Sequence, residues 1–215
     1  DGANAHILNL NWKKQTRIKL ITSYNSPITG RNAQFYGLTQ VVKYFVSPLD
    51  SIIYRIQKRI FDILFSAIVI VGLLSWFIPL MAVFIWADSK GPVFFIQKRP
   101  GRFKKPISCI KFRSMTVNNR TEKSASRNDA RITRIGKFIR KKSIDELPQF
   151  FNVFFGQMSI VGPRPNLTSQ NDRYIKIFDD YSNRMYLKPG ITGLAQVSGA
   201  RGRIDTDIEM KHRVK

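Results

Sequence analysis

The sequence predicts a mostly helical α+β membrane domain. It is monotopic, with a re-entrant hydrophobic helix hairpin, interfacial amphipathic helices and a few short strands. Three observations predict it. From Ile63 to Ala87 runs ILFSAIVIVGLLSWFIPLMAVFIWA, 25 residues without a charge, and 18 or more such residues read as a membrane helix. Both flanks of this run are basic, with Arg55, Lys58 and Arg59 before it and Lys90, Lys98, Arg99 and Arg102 after it. Beyond the run, short alternating segments and one basic amphipathic segment follow in a chain of 215 residues with a formal net charge of +22.

Residues 1–57 hold IKLITSYN and TQVVKYFV, short strand or helix pieces, and NSPITG, a turn. The stretch is too weakly patterned for a complete domain. It reads as the end of a preceding domain plus a linker through SPLDS, leaving residues 58–215 as the main domain. The apolar run lies too far from the N-terminus for a signal peptide. As a straight helix it would measure about 37 Å, enough to cross a bilayer. Pro79, however, removes a helix hydrogen bond and favours a kink. Basic flanks stay in the cytoplasm by the positive-inside rule, so two such flanks predict a hairpin over about residues 60–87 that enters and leaves by one face. Trp76 and Trp86 are placed to sit near the interface.

Residues 88–142 carry 17 Lys/Arg against 3 Asp/Glu, which marks an anion-facing region. GPVFFIQKRPG predicts a short strand and a turn, and PISCIKFRSM a second strand bearing Lys111 and Arg113. VNNRTEKSASRND is polar and reads as a mobile loop. In RITRIGKFIRKK, Ile132, Ile135, Phe138 and Ile139 recur at helical spacing between cations. That pattern fits a membrane-surface helix or an ordinary helix docked on a core. SIDELPQFFNVFFGQM predicts an apolar helix after an acidic start, MSIVGPRP a strand running into a rigid Pro-Arg-Pro turn, and KPGITGLAQVSGARGR strands and loops.

Composition excludes several classes. Cys109 is the single cysteine, so neither a disulfide framework nor a Cys-ligated cluster is available, and His6 and His212 lie at opposite ends. The charge demands an anionic partner: nucleic acid, an anionic membrane surface or phosphorylated substrates. The uncharged run and the lack of a recognised nucleic-acid motif argue against a specific nucleic acid. A non-catalytic basic membrane-surface or nucleic-acid-binding protein remains the alternative to an enzyme.

Asp145 and Glu146 are adjacent acids behind Arg140, Lys141 and Lys142. Ser143-Ile-Asp-Glu146 fits a capping box, and Asp145 could itself cap a helix whose first turn holds Pro148. Arg164 stands between Pro163 and Pro165, which restrict its backbone. Arginine forks and free amides at a helix start make a phosphate site. A carboxylate there could hold Mg²⁺ or attack phosphorus.

KRIFDILFS, DSKGPVFFIQKRPGR, IKFRSM, NDARITRIGKFIRKKSIDELPQFFNV, MSIVGPRP and KPGITGLAQVSG occur in this order. Together, over about residues 58–203, they resemble the bacterial sugar transferase family, the monotopic polyprenyl-phosphate phosphoglycosyl transferases. The resemblance implies transfer of a hexose 1-phosphate from a UDP-sugar to undecaprenyl phosphate, with UMP released, at the start of exopolysaccharide, capsule or O-antigen assembly. It implies Asp145 as the nucleophile that forms a covalent phospho-aspartyl intermediate, and Glu146 as its partner in catalysis and Mg²⁺ binding. Arg140 and Arg164 become phosphate ligands, as do Lys111 and Arg113 on the second strand. The implied setting is the cytoplasmic face of the bacterial inner membrane, among anionic lipids, with a homo-oligomer left open. The family often has Ser-Pro at the helix break where Ile78-Pro79 stands here. Related chains also continue past Lys215, so a final aromatic, acidic stretch is expected to be missing from this sequence.

Overall fold

The computed structural model describes residues 19–22, 33–36, 39–43, 49, 51–117, 129–199 and 210. The NSPITG turn, residues 118–128 of the polar loop and residues 200–203 lie outside the described residues. The chain divides into two units, residues 1–58 and 59–215. The first contains β1 (Lys19–Thr22), β2 (Ala33–Tyr36) and β3 (Thr39–Lys43). These form an antiparallel sheet in the order β1-β3-β2, with Leu20 opposite Val42 and Phe35 opposite Gln40. IKLITSYN and TQVVKYFV are thus strand-forming, as their β-branched residues favour.

The apolar run lies in a 37-residue helix, Ile52–Asp88, long and apolar enough to cross a membrane. It consists of α1 (Ile52–Val69), a π-turn at Ile70–Leu74 and α2 (Ser75–Asp88), with Pro79 inside α2. The departure from α geometry therefore comes just before the proline. Ser75 Oγ donates to the Val71 carbonyl at 2.6 Å and Trp76 Nε1 to the Gly72 carbonyl at 3.0 Å. Both bonds bring side-chain donors to carbonyls within the wide turn.

Both flanks of the apolar run, from Arg59 onward, are fastened within the second unit. Arg59 donates to the carbonyls of Val153 and Phe154 at 2.7 and 2.6 Å, satisfying the free C-terminal end of α4 (Gln149–Phe154). Buried Asp62 accepts from Ser159 Oγ at 3.1 Å and the Ile160 amide at 3.0 Å. At the other end, Met81 and Ile85 of α2 join Phe112 and Ile139 in one core, with Ile135, Ile144 and Leu147 packed on it. A second core joins Cys109, Val153, Met158 and Ile160.

The rest of the unit is built from short pieces. β4 (Phe94–Pro100) and β5 (Pro106–Phe112) form an antiparallel hairpin in which Phe95 faces Lys111, Gln97 faces Cys109 and Arg99 faces Ile107. Then come α3 (Arg134–Lys141), a 3₁₀ turn at Ile144–Glu146, α4, and β6 (Ser159–Val161). Next are α5 (Thr168–Ile177), a 3₁₀ helix at Asp179–Tyr186, β7 (Gly190–Thr192) and α6 (Leu194–Val197). β6 and β7 pair in parallel. KPGITGLAQVSG therefore contributes a short helix besides its strand.

α3 resolves the two readings of its sequence. Ile135 and Ile139 enter the core against α2 and β5, while Phe138 stays 55% exposed. Its start is capped twice: Thr133 Oγ1 accepts from the Gly136 amide at 3.0 Å, and Asp88 at the end of α2 accepts from the Ile135 amide at 2.8 Å. Gly136 lets this helix close on the backbone just past β5, since a Cβ there would run into the Ser114 carbonyl oxygen. Backbone cannot yield as a side-chain end can. Gly136→Ala is expected to cost about 3 kcal/mol or more of stability, read by chemical denaturation in detergent.

Candidate active site

Asp145 and Glu146 sit on the 3₁₀ turn between α3 and α4, with neither acid serving as a helix cap. Ser143 adopts a left-handed conformation (φ 58°) and makes no capping hydrogen bond. The helix proper begins only at Gln149, after Pro148. The capping-box reading therefore fails. Positive φ at Ser143 reverses the chain sharply, so the acids project from a turn instead of lying along a helix.

Asn152 holds that turn against β5. It is buried; its Oδ1 accepts from the Ile110 amide at 3.0 Å, and its Nδ2 donates to the Ser108 carbonyl at 2.7 Å. The side-chain amide thus substitutes for a neighbouring strand and satisfies β5 where no ladder reaches it. Lys111, between Ile110 and Phe112, is thereby brought under the acids.

The two carboxylates have opposite environments. Glu146 is gripped from two sides. Lys111 Nζ lies 2.6 Å from its Oε1, while Arg164 makes a two-pronged contact, Nη2 to Oε1 at 2.7 Å and Nη1 to Oε2 at 2.9 Å. Burial alone would push its carboxyl up, but Lys111 and Arg164 outweigh that and hold it down at about 2. Asp145 accepts no hydrogen bond and forms no ion pair among the described residues. Burial, with the Glu146 charge beside it, raises its carboxyl above the ordinary aspartate value, against the pull of Lys111, Arg140 and Arg164. One acid is a fixed anion bound up with cations. The other is half-buried and uncommitted.

The cations divide as well. Lys111 and Arg164 meet at Glu146, with the Arg164 side chain 46% exposed and able to reach a ligand. Arg140 is solvent-facing at the end of α3, with Nη1 3.5 Å from Ser114 Oγ. Arg113 lies elsewhere. It is buried, and its guanidinium donates to the Lys90 carbonyl at 3.1 Å and to the Ser89 carbonyl, where it closes the end of the apolar helix. The structure does not bring Arg113 to the acid pair: β5 ends at Phe112, and the guanidinium turns to the Ser89 and Lys90 carbonyls instead. Pro79 lies in the apolar helix, in α2, and takes no part in this cluster.

One cation was missed. Arg99 donates to Gln97 Oε1 through Nε and Nη2 at 3.1 and 2.6 Å and approaches the Pro165 carbonyl at 3.5 Å. Burial lowers its guanidinium from the usual value, and Arg164 nearby adds to that. The signal lay in the alternation of β4, where Phe95, Gln97 and Arg99 share the face that pairs with Lys111, Cys109 and Ile107. Cys109 itself is buried beside Met158, and burial raises its thiol, which suits packing and not chemistry.

A metal ion can be tested against these donors. No group of three or more His, Cys, Asp or Glu that could hold one occurs among the described residues. Both Glu146 oxygens are occupied by cations, whereas neither Asp145 oxygen accepts a hydrogen bond among the described residues. Mg²⁺ commonly takes one or two carboxylates and completes six oxygens with substrate phosphates and water. Asp145 fits that mode; Glu146 fits only if it releases Lys111 or Arg164.

The profile of the bacterial sugar transferase family matches residues 53–215. The chain belongs to this family. It is 48% identical over 177 residues to a UDP-glucose:undecaprenyl-phosphate glucose-1-phosphate transferase of Klebsiella pneumoniae, which covers 81% of this chain and 38% of that protein. The protein of the same name from Escherichia coli is 43% identical over the same shares. A UDP-N-acetylgalactosamine-undecaprenyl-phosphate N-acetylgalactosaminephosphotransferase of Aeromonas hydrophila is 42% identical over 77% of this chain and 40% of its own length. The chain thus spans about two fifths of the length of these relatives. Their names carry different sugars at nearly equal identity, so overall likeness does not select the sugar.

Proposed function

We propose that this sugar transferase moves a hexose 1-phosphate from a UDP-sugar to undecaprenyl phosphate through a phosphorylated Asp145. The observation that carries it is the contrast within the acid pair: Glu146 is locked to Lys111 and Arg164, and Asp145 is left open among cations. An Asp145 oxygen attacks the β-phosphorus, the bond from that phosphorus to the oxygen bridging to the α-phosphate breaks, and UMP leaves. An oxygen of undecaprenyl phosphate then attacks the phosphorus bound to Asp145. The lipid diphospho-sugar departs and the carboxylate is restored.

Arg164 and Arg140 hold phosphate oxygens, and Lys111 keeps Glu146 ionised and in place. Mg²⁺, which Asp145 would hold, would neutralise charge on the donor's diphosphate. UMP release by the purified full-length enzyme, supplied with undecaprenyl phosphate, Mg²⁺ and each UDP-sugar in turn, tests the reading and identifies the sugar. No UMP from any donor would sink it.

Arg164→Lys keeps the charge and loses the planar fork. It is expected to lower kcat/KM at least ~10-fold, about 1.4 kcal/mol of transition-state binding. A Lys variant equal to the parent would remove the bidentate role.

The membrane segment is proposed to be re-entrant, with both ends on the cytoplasmic face of the inner membrane. Two observations support this. A straight 37-residue helix would measure about 55 Å, against about 30 Å of hydrocarbon. Arg59 and Asp62 before the π-turn, and Met81 and Ile85 after it, all fasten to the same unit. A domain resting on one face of a bilayer can hold both only if the helix returns to that face. With Cys109 replaced by Ser, single cysteines at Ser51 and Ser89 should both resist an impermeant thiol reagent in intact cells. Both should react in inverted vesicles. Labelling of the Ser51 site alone from outside would establish a span.

A further inference from the structure

We infer that Arg184 is a positioning residue that aims Arg164 by clamping the backbone of the Pro-Arg-Pro turn; the inference rests on the transferase reading above. Proline has no N–H, so residues 163–165 offer one backbone donor in three and are held mainly through their carbonyls. All three carbonyls have donors from three different elements. The Pro163 carbonyl accepts from the Gly190 amide of β7 at 3.0 Å. The Arg164 carbonyl accepts from Arg184 Nη2 at 2.6 Å. The Pro165 carbonyl is approached by Arg99 Nη1 of β4 at 3.5 Å, the longest of the three.

Arg184 is itself fixed from behind. Its guanidinium carbon lies 5.0 Å from the centre of the Tyr181 ring, which is fully buried. The Tyr181 hydroxyl donates to Asn171 Oδ1 and accepts from Asn166 Nδ2 at 2.8 Å, and Asn166 directly follows Pro165. The turn is therefore gripped on both sides of Arg164 by one assembly: Arg184 at the arginine's own carbonyl, and the Tyr181 relay at Asn166. The Arg164 fork must meet two Glu146 oxygens at 2.7 and 2.9 Å and still offer an exposed edge to a phosphate. A shift of about 1 Å in its backbone would forfeit that geometry.

A double-mutant cycle decides the matter, with UMP release by the full-length enzyme as readout. Arg184→Met keeps the aliphatic bulk over Tyr181 and removes the donor. Acting through Arg164, it should lower kcat/KM by about 10-fold in the parent, mainly through kcat. In an Arg164→Lys background, where the fork is already gone, it should cost less than about 2-fold. Arg184→Lys can still donate to one carbonyl and should stay within about 3-fold of the parent. Arg102→Met is the control: it removes a bond at 2.9 Å to the Tyr186 carbonyl, in the same 3₁₀ segment but away from Arg164, and should change kcat/KM by less than about 2-fold.

Equal losses from Arg184→Met in both backgrounds would overturn the inference in favour of an independent role for Arg184. So would no loss in the parent, or an equal loss from Arg102→Met. If Arg184→Met does not fold, Arg184→Lys decides alone, and a fall to the Arg164→Lys level overturns the clamp. A parent without UMP release defeats the transferase reading instead, which keeps the two failures apart.

Discussion

Asp145→Asn is expected to abolish turnover while raising the thermal unfolding midpoint. With UDP-sugar and no lipid acceptor, the full-length parent should release about one UMP per active site and retain labelled sugar phosphate on the protein. The variant should give neither. Its steady-state rate should fall at least ~10³-fold, which is about 4 kcal/mol of barrier. The stability gain follows from the raised carboxyl of Asp145. A group whose pKa is higher folded than unfolded holds its proton more tightly when folded. Its ionised form therefore costs stability at neutral pH, and the cost is relieved as pH falls through the raised value. Asn is neutral and removes that cost. The same shift predicts that kcat/KM rises with pH through a value above the usual 3.8 of aspartate. Rapid-quench mixtures that never show labelled protein would favour direct transfer between the substrates.

Glu146→Gln should be damaging to both activity and fold. Its carboxylate is 14% exposed and bound to Lys111 and Arg164. Gln offers one acceptor oxygen where the arginine fork uses two, and it leaves both cations without a counter-charge. A loss of about 10²-fold in kcat/KM is expected as Arg164 leaves its aim, together with about 2–3 kcal/mol of stability at pH 7. The pH dependence checks the cause. Glu146 is depressed from 4.5 to about 2 on folding, so its contribution is full above pH 4.5 and drains away as pH falls toward 2. Unfolding free energies of parent and variant should therefore converge as pH falls below 4.5. A gap that stays constant to pH 2 would show that Glu146 acts by shape and not by charge.

Much of the fold was legible because its signals are local. An uncharged run states its own solvent, and the alternation of FFIQKRP and PISCIKF states two strands. The stretch from Asn166 to Tyr186 went unread, although it holds α5 and the 3₁₀ helix that carry Tyr181 and Arg184. Its polar residues mask the weak apolar spacing, and its order depends on packing against the Pro-Arg-Pro turn.

By itself the sequence determined the apolar run, the basic surroundings of Asp145 and Glu146, and the stiffness of the Pro-Arg-Pro turn. Each is a property of residues a few positions apart, where covalent geometry and periodicity decide. Only the tertiary structure decided which cation serves which end. Lys111 and Arg113 are two residues apart, yet one binds Glu146 and the other closes the apolar helix at Ser89 and Lys90. Arg164 crosses 18 positions to reach Glu146, and Arg99 crosses 66 to approach Pro165. Local propensity cannot rank such pairings. They are selected by the burial of Asn152, Ile139 and Val153, which brings β5, α3 and α4 together and leaves the charged side chains to settle where a partner lies within reach.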